Sequence, residues 1–69
     1  MNTLNITVNG KKEKIEKDIS LLRFLQQKGI DLDTVVVEYN YEVVKKEEWD
    51  GIILKENDNL EVLRFVGGG

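Results

Sequence analysis

A strict alternation of apolar and polar residues opens the sequence and constrains its fold more than any other feature. Every second residue of this stretch is apolar, at Leu4, Ile6 and Val8. A period of two residues is typical of a β-strand with one buried face. The next two residues, Asn9 and Gly10, form the strongest short signal for a tight hairpin turn. The sequence therefore predicts a first strand over 3–9 that folds back onto a second strand.

The second strand is predicted over Lys11 to Lys17, where Ile15 is the one apolar residue. So many charges suit the edge of a sheet, where they discourage pairing with other molecules. A helix of about ten residues should follow, because apolar side chains then recur at helical spacing. They are Ile19, Leu22 and Leu25, with Leu21 and Phe24 widening the stripe. Asp18 or Ser20 can cap its amino end, and Gly29 is the expected left-handed terminator.

The second half of the chain reads as short extended segments. Strands are predicted over 35–39 and around Val43 and Val44. A polar connection over 45–51 contains Trp49, and 52–54 returns to the core. After a turn over 57–59, a last strand runs over 60–66. Tyr39 and Tyr41 are expected to pack in the strand and the turn.

This order predicts an α+β fold, the ubiquitin-like β-grasp. One helix would cross one face of a mixed four- to five-stranded sheet, and the last strand would pair in parallel with the first at its centre. We expect residues 1–66 to form this domain and residues 67–69 to form a flexible glycine tail.

Composition limits the chemistry that this chain can perform. Its 69 residues contain no Cys and no His, so no disulfide, zinc site, thiol nucleophile or histidine base is expected. The sequence has no phosphate loop of the Gly-Lys-Ser type for ATP. A net charge of −3 argues against nucleic acid as a partner. We see no signal peptide and no apolar run of membrane-spanning length, and we expect a cytoplasmic protein that is not an enzyme by itself.

The sequence ends with three glycines, Gly67, Gly68 and Gly69. One interpretation is a frayed end without function. The other is a thread thin enough to enter a narrow channel of a partner and deliver the carboxylate of Gly69. A carboxylate is ionised at neutral pH and is a poor electrophile. It would need activation, for which an acyl-adenylate made from ATP by another protein is the natural route.

The chain resembles the ThiS family, the sulfur carrier proteins of thiamine biosynthesis, over essentially its whole length. The resemblance rests on the opening 6–10, on the connection 45–49 and above all on the ending 57–69 with its terminal glycines. It implies that a ThiF-like adenylating enzyme activates Gly69 with ATP, and that a desulfurase system donates sulfur to form a thiocarboxylate. Thiazole synthase (ThiG-like) would then take the sulfur. Gly67 and Gly68 match the part that the enzyme's channel recognises, and the carrier acts as a covalently modified co-substrate without a bound cofactor or metal.

The last strand also indicates a docking surface. If Leu60 and Val62 face the helix, Glu61, Leu63 and Phe65 face outward, where they form a binding patch or fold onto a loop. Arg64 and Glu61 would then orient the partner. Trp49 either covers one end of the core or contacts a partner directly.

Three alternative functions stay open from the sequence. The small subunit of molybdopterin synthase resembles this chain in fold and tail, although that family often carries proline before its glycines and this sequence has no Pro. A protein modifier joined to lysines through Gly69 is the second alternative. A plain interaction module whose tail has no role is the third.

Overall fold

The computed structural model describes residues 2–65, which form five strands and one α-helix. In chain order the elements are β1 (Thr3–Val8), β2 (Lys11–Glu16), α1 (Leu21–Gln27), β3 (Val35–Tyr39), β4 (Glu42–Val44) and β5 (Asn59–Arg64). Two short 3-10 helices, Leu32–Thr34 and Lys46–Gly51, lie in the connections. The last strand begins at Asn59, one residue before the predicted start at Leu60. Its predicted end, Val66, lies outside the described residues.

The strands form a single sheet in the order β2-β1-β5-β3-β4. Strand β1 pairs in parallel with β5, and the other neighbours are antiparallel. The predicted β-grasp, with the last strand parallel to the first at the sheet centre, is therefore confirmed.

The core lies between α1 and one face of the sheet. The helix contributes Leu21, Phe24 and Leu25, which meet Ile6, Val37 and Leu60 from the strands. Complete burial of such a side chain is worth about 1.5–3 kcal/mol. Since the core is built only from side-chain packing, each of these residues matters for a chain that has no disulfide.

The helix is shorter than predicted, and the choice of cap explains why. Ser20 is the N-cap, because its Oγ accepts from the N–H of Arg23 at 3.0 Å. Asp18, the alternative cap, instead adopts a left-handed backbone conformation with φ of +66° two residues earlier. Ile19 is buried but precedes the helix, and Leu22 lies at the margin of the buried stripe. The predicted terminator is confirmed, since Gly29 has φ of +71°.

Trp49 covers one end of the core, as one of the two sequence interpretations held. It lies in the second 3-10 helix with only 1% of its surface exposed. Its indole Nε1 donates to the carbonyl of Val44 at 3.2 Å, which satisfies the one polar group of the side chain. The carboxylate of Glu48 accepts from the N–H of Lys45 at 2.7 Å and fixes the start of this turn. With so little exposed surface, Trp49 offers nothing for direct contact with a partner.

Two apolar residues lie at the surface where packing was predicted. Tyr41 is 77% exposed at the turn between β3 and β4, so the prediction that it packs in the turn was wrong. Ile53 is 43% exposed, although its neighbour Leu54 is buried. In the segment 52–54, Ile52 and Leu54 pack in or against the core and Ile53 does not. The backbone of Ile53 pairs with that of Ser20 as an isolated antiparallel β-bridge. No helix within residues 2–65 is long and apolar enough to cross a membrane.

Candidate functional site

Strand β5 carries the chain from the centre of the sheet toward the glycine tail. It is paired along its length with β3, from Leu60 opposite Tyr39 to Arg64 opposite Val35. The N–H of Phe65 donates to the carbonyl of Thr34 at 3.0 Å, which extends the pairing one residue further. Gly67, Gly68 and Gly69, predicted as the tail and its reactive end, lie outside the described residues. The structure therefore fixes the base from which the tail starts.

The side chains of β5 alternate between the two faces of the sheet as the sequence predicted. Leu60 is fully buried and Val62 packs against the core, beneath the helix. Leu63 is 49% exposed and Phe65 is 47% exposed on the opposite, open face. Their role in binding a partner stays a prediction.

A third apolar side chain adjoins these two on the open face. Val36 of β3 lies directly opposite Leu63 and is 37% exposed. Directly opposed residues on neighbouring strands share a face and have Cβ atoms about 4.5–5.5 Å apart. Val36, Leu63 and Phe65 thus form a continuous apolar surface, the tail-base patch, at the point where the chain leaves the sheet. Contiguous exposed apolar side chains are typical of surfaces that bind other proteins.

Two carboxylates border the tail-base patch. Glu61 of β5 lies directly opposite Glu38 of β3, and both are half-buried on the open face. Like charges in such a cross-strand position repel each other, which costs stability. The sequence prediction named Glu61 but missed Glu38 and Val36, because identifying them requires the register between β3 and β5. The paired carboxylates give the patch an acidic side that suits basic groups on a partner.

Asn9 ties β5 to the end of β1. Its backbone N–H donates to the carbonyl of Leu60 at 2.9 Å. Its side-chain oxygen accepts from the N–H of Val62 at 2.8 Å, and its amide nitrogen donates to the carbonyl of Val62 at 3.2 Å. The side chain thus substitutes for a strand residue after β1 has turned away. The sequence prediction treated Asn9 only as a turn residue.

Asp58 anchors the other end of β5, away from the tail. It is 7% exposed, and its carboxylate accepts from the Tyr39 hydroxyl at 2.8 Å, the Asn40 amide at 3.1 Å and the N–H of Lys55 at 2.8 Å. Burial first, and then the hydrogen bond and charge of Asp58, raise the pKa of Tyr39 to about 12. Every polar atom of this buried carboxylate has a partner, so its role is to hold the turn before β5 in place.

Among the remaining charged groups of residues 2–65, one ion pair shifts the pKa of both of its members. An exposed ion pair joins Lys46 to Asp33; it lowers the pKa of Asp33 and raises that of Lys46. Pairs at the surface contribute little to stability. Within residues 2–65, no three Asp, Glu, His or Cys side chains converge on a point where they could hold a metal ion.

Comparison with known proteins places this arrangement in context. A family model described as the ThiS family matches residues 2–69. The chain is 34% identical over 65 residues to the sulfur carrier protein ThiS of Bacillus subtilis, which covers 93% of this chain and 98% of that protein. The crystal structure of the thiamine biosynthesis protein (ThiS) from Geobacter metallireducens matches with a TM-score of 0.84 and 33% identity. That match covers 96% of this chain and 100% of the other.

A larger protein also contains a region similar to this chain. A thiazole synthase of Paramagnetospirillum magneticum is 29% identical over 66 residues, covering 96% of this chain. The chain spans only 20% of the length of that protein.

Proposed function

This chain belongs to the ThiS family, and from that premise we propose that it carries sulfur for the synthesis of the thiazole ring of thiamine, with the sulfur on Gly69. One observation carries the proposal most directly. The family match extends through residue 69 and so includes the glycine tail together with the folded domain. Strand β5, with the tail-base patch on its open face, ends at Arg64, three positions before the first of these glycines in the sequence.

The proposed reaction changes the end of the chain in three steps. The Gly69 carboxylate attacks the α-phosphate of ATP, which forms an acyl-adenylate and releases pyrophosphate. The outer sulfur of a persulfide, which the desulfurase system forms from cysteine, then attacks the acyl carbon, and AMP leaves as an acyl disulfide forms. A second thiol, from the enzyme or from excess cysteine, attacks the inner sulfur of that acyl disulfide, becomes part of a new disulfide and releases the thiocarboxylate. Because this sequence has no His, no Cys and no phosphate loop, a ThiF-like adenylating enzyme must supply the ATP site and the acid–base groups.

Thiazole synthase is the proposed acceptor of the sulfur. Support comes from the thiazole synthase of Paramagnetospirillum magneticum, in which a region similar to this chain occurs within the same polypeptide. Such an arrangement raises the effective concentration of a carrier next to its acceptor. For a separate carrier, a binding surface has to achieve the same result.

The tail-base patch can supply part of the binding energy that this encounter needs. Fixing one tail residue in a channel costs roughly 1–2 kcal/mol of backbone entropy. Burying Leu63 or Phe65 returns at most about 1.5–3 kcal/mol each, less here because each is already half-buried. Three glycines cost about 3–6 kcal/mol in all, whereas the two half-exposed side chains return about 1.5–3 kcal/mol together, so the patch offsets about half of the ordering cost. Glu61 on the open face and Arg64 on the helix side set orientation and association rate more than affinity.

Intact-mass spectrometry tests the proposal. The full chain is incubated with its cognate adenylating enzyme, ATP and a desulfurase with cysteine. We expect the mass to rise by the difference between one sulfur and one oxygen, only when ATP is present. An unchanged mass would contradict the sulfur-carrier function. If the chain instead appears joined to lysines of added proteins, the protein-modifier alternative is favoured.

A further inference from the structure

A groove lies on the helix side of the sheet, on the face opposite the tail-base patch. Its volume is about 300 Å³, at the lower limit of small-molecule sites and sufficient for protein side chains. Apolar side chains from β1, α1, the following loop and β5 line it, and two cations lie among them. The residues that the argument uses are Val8, Phe24, Ile30, Val62, Lys28 and Arg64. No carboxylate of residues 2–65 lines this groove.

The cations of the groove differ in what they already bind. The ammonium of Lys28 is 2.6 Å from the carboxylate of Glu13 and lies 5.7 Å from the centre of the Phe24 ring. Arg64 is exposed and has no ion-pair partner between residues 2 and 65. The groove therefore has a positive rim in which Arg64 provides the available charge.

The backbone at Arg64 has hydrogen-bonding groups directed to the same side. Bonds between antiparallel strands involve every second residue, and Phe65 bonds to Thr34 across β3. Arg64, which lies opposite Val35, therefore directs its N–H and C=O away from β3. Leu60 and Val62 direct backbone groups to the same side as Arg64, but those groups already form hydrogen bonds with Asn9. Beyond Asn9, β1 has turned back into β2, and no strand of residues 2–65 reaches Arg64.

We propose that this free edge and the groove beside it bind an extended segment of the enzyme that receives the tail. The segment adds its backbone to β5 at Arg64, inserts an aliphatic or aromatic side chain into the groove, and places an acidic side chain against Arg64. This inference rests on the proposed function, because the tail is what brings the enzyme to this end of β5. Main-chain pairing supplies affinity and the side-chain pocket supplies specificity, as in other strand-addition complexes.

A second free edge, on β2, is a weaker candidate for this segment. Its outward side carries Lys12, Lys14 and Glu16, charges of mixed sign that oppose edge pairing. It is also separated from β5 by the whole of β1. Its exposed amides therefore provide an internal control for the edge of β5.

Residue-resolved amide exchange of the ¹⁵N-labelled full chain, with and without the cognate adenylating enzyme, tests the proposal. The Arg64 amide should exchange rapidly in the free protein and about ten-fold or more slowly in the complex. The amide of Lys14, on the edge of β2, should not change. In parallel, Arg64→Ala removes the charge, whereas Arg64→Pro removes the charge and also the N–H that β3 does not use. We expect Arg64→Ala to weaken binding several-fold and Arg64→Pro to weaken it several-fold further.

The outcomes separate this inference from the function on which it rests. A complex that yields the thiocarboxylate while the Arg64 amide stays unprotected overturns the inference and leaves the function intact. Protection of Lys14 instead of Arg64 assigns the segment to β2 and also overturns it. Failure to form either the complex or the thiocarboxylate overturns the proposed function, and this inference with it. The exchange measurement uses the unaltered chain, so it decides the matter even if Arg64→Pro does not fold.

Discussion

Tyr41 holds a backbone conformation that suits glycine better than tyrosine. In the turn between β3 and β4, Asn40 has φ of +50° and Tyr41 has φ of +73°. Positive φ at both central residues defines the type I′ turn, in which Gly is preferred at the second position. The left-handed conformation costs a residue with a side chain roughly 1–2 kcal/mol. With 77% of its surface exposed, Tyr41 gains little from packing in return.

Tyr41→Gly should therefore make the protein more stable. Relief of the strain exceeds the added flexibility of glycine in the unfolded chain, which costs about 0.4–1 kcal/mol, so a net gain of about 0.5–1 kcal/mol is expected. Urea denaturation, monitored by the fluorescence of Trp49, measures this gain. The urea concentration at the unfolding midpoint should rise, while the dependence of the unfolding free energy on urea concentration stays unchanged. Tyr41→Ala is the matched control, because it removes the ring but keeps the Cβ, and it should bring no gain. A loss of stability in Tyr41→Gly would show that the ring makes a stabilising contact.

Tyr39 gives the stability of the fold a dependence on alkaline pH. Burial, with the hydrogen bond and charge of Asp58, raises the pKa of Tyr39 from 10.0 to about 12. Above pH 10 the unfolded chain releases this proton while the folded protein keeps it, so stability falls as the pH rises toward 12. Tyr39→Phe should be less stable by about 1 kcal/mol near neutral pH, where the hydrogen bond is intact. The difference between the two proteins in urea denaturation should shrink at the alkaline end, and a constant difference would contradict this explanation.

Single residues show where sequence-based prediction succeeded and where it stopped. The outward orientation of Leu63 and Phe65 followed from alternation, since a strand with one buried face has only two choices. The roles of Asn9 and Asp58 did not follow. Asn9 binds Val62, 53 positions away, and a turn-forming asparagine gives no local sign of such a partner. The carboxylate of Asp58 likewise depends on Tyr39.

At the scale of elements, strands were easier to predict than the helix boundaries. The two-residue period located β1, β3 and β5 within a residue or two. The start of α1 was ambiguous because Asp18 and Ser20 are both good caps, and only the backbone conformation at Asp18 decides between them. The two faces of β5 carry different surfaces. The tail-base patch lies on the open face, and Val62 and Arg64 line the groove on the helix side.

Phe65→Asp tests the tail-base patch on the open face. Because Phe65 is about half-exposed, the substitution should cost little folding stability while placing a charge in the proposed interface. Loss of the aromatic contact should weaken binding to the adenylating enzyme about ten-fold or more, measured by titration calorimetry. Ile53→Asp is the matched control, since Ile53 is similarly exposed but lies beside the start of α1, and it should bind normally. A marked drop in the unfolding midpoint of Phe65→Asp would instead place the ring among the residues that hold the fold together.

At the scale of the whole molecule, the core and the exposed apolar side chains of β5 lie on opposite faces of the sheet. One helix covers one face of the sheet, and the residues of the core belong to that layer. The opposite face keeps Leu63 and Phe65 exposed, a few positions before the glycines in the sequence. A small domain has little core to spare, and about 60% of its surface is buried on folding. The reactive group that we propose at Gly69 would require no change in the core side chains found within residues 2–65.

Deleting Gly69 should separate folding stability from thiocarboxylate formation. Within residues 2–65 the buried core residues lie between positions 6 and 60, so the unfolding free energy should stay within about 0.5 kcal/mol of the parent value. Thiocarboxylate formation, followed by intact mass with the adenylating enzyme, ATP and the desulfurase, should be lost. Gly69→Ala is the matched control, because it keeps the chain length and the carboxylate but adds one methyl group. It should react more slowly than the parent if a narrow channel receives the tail. Normal thiocarboxylate formation at Gly68 of the shortened chain would show that the position of the carboxylate is not what the enzyme recognises.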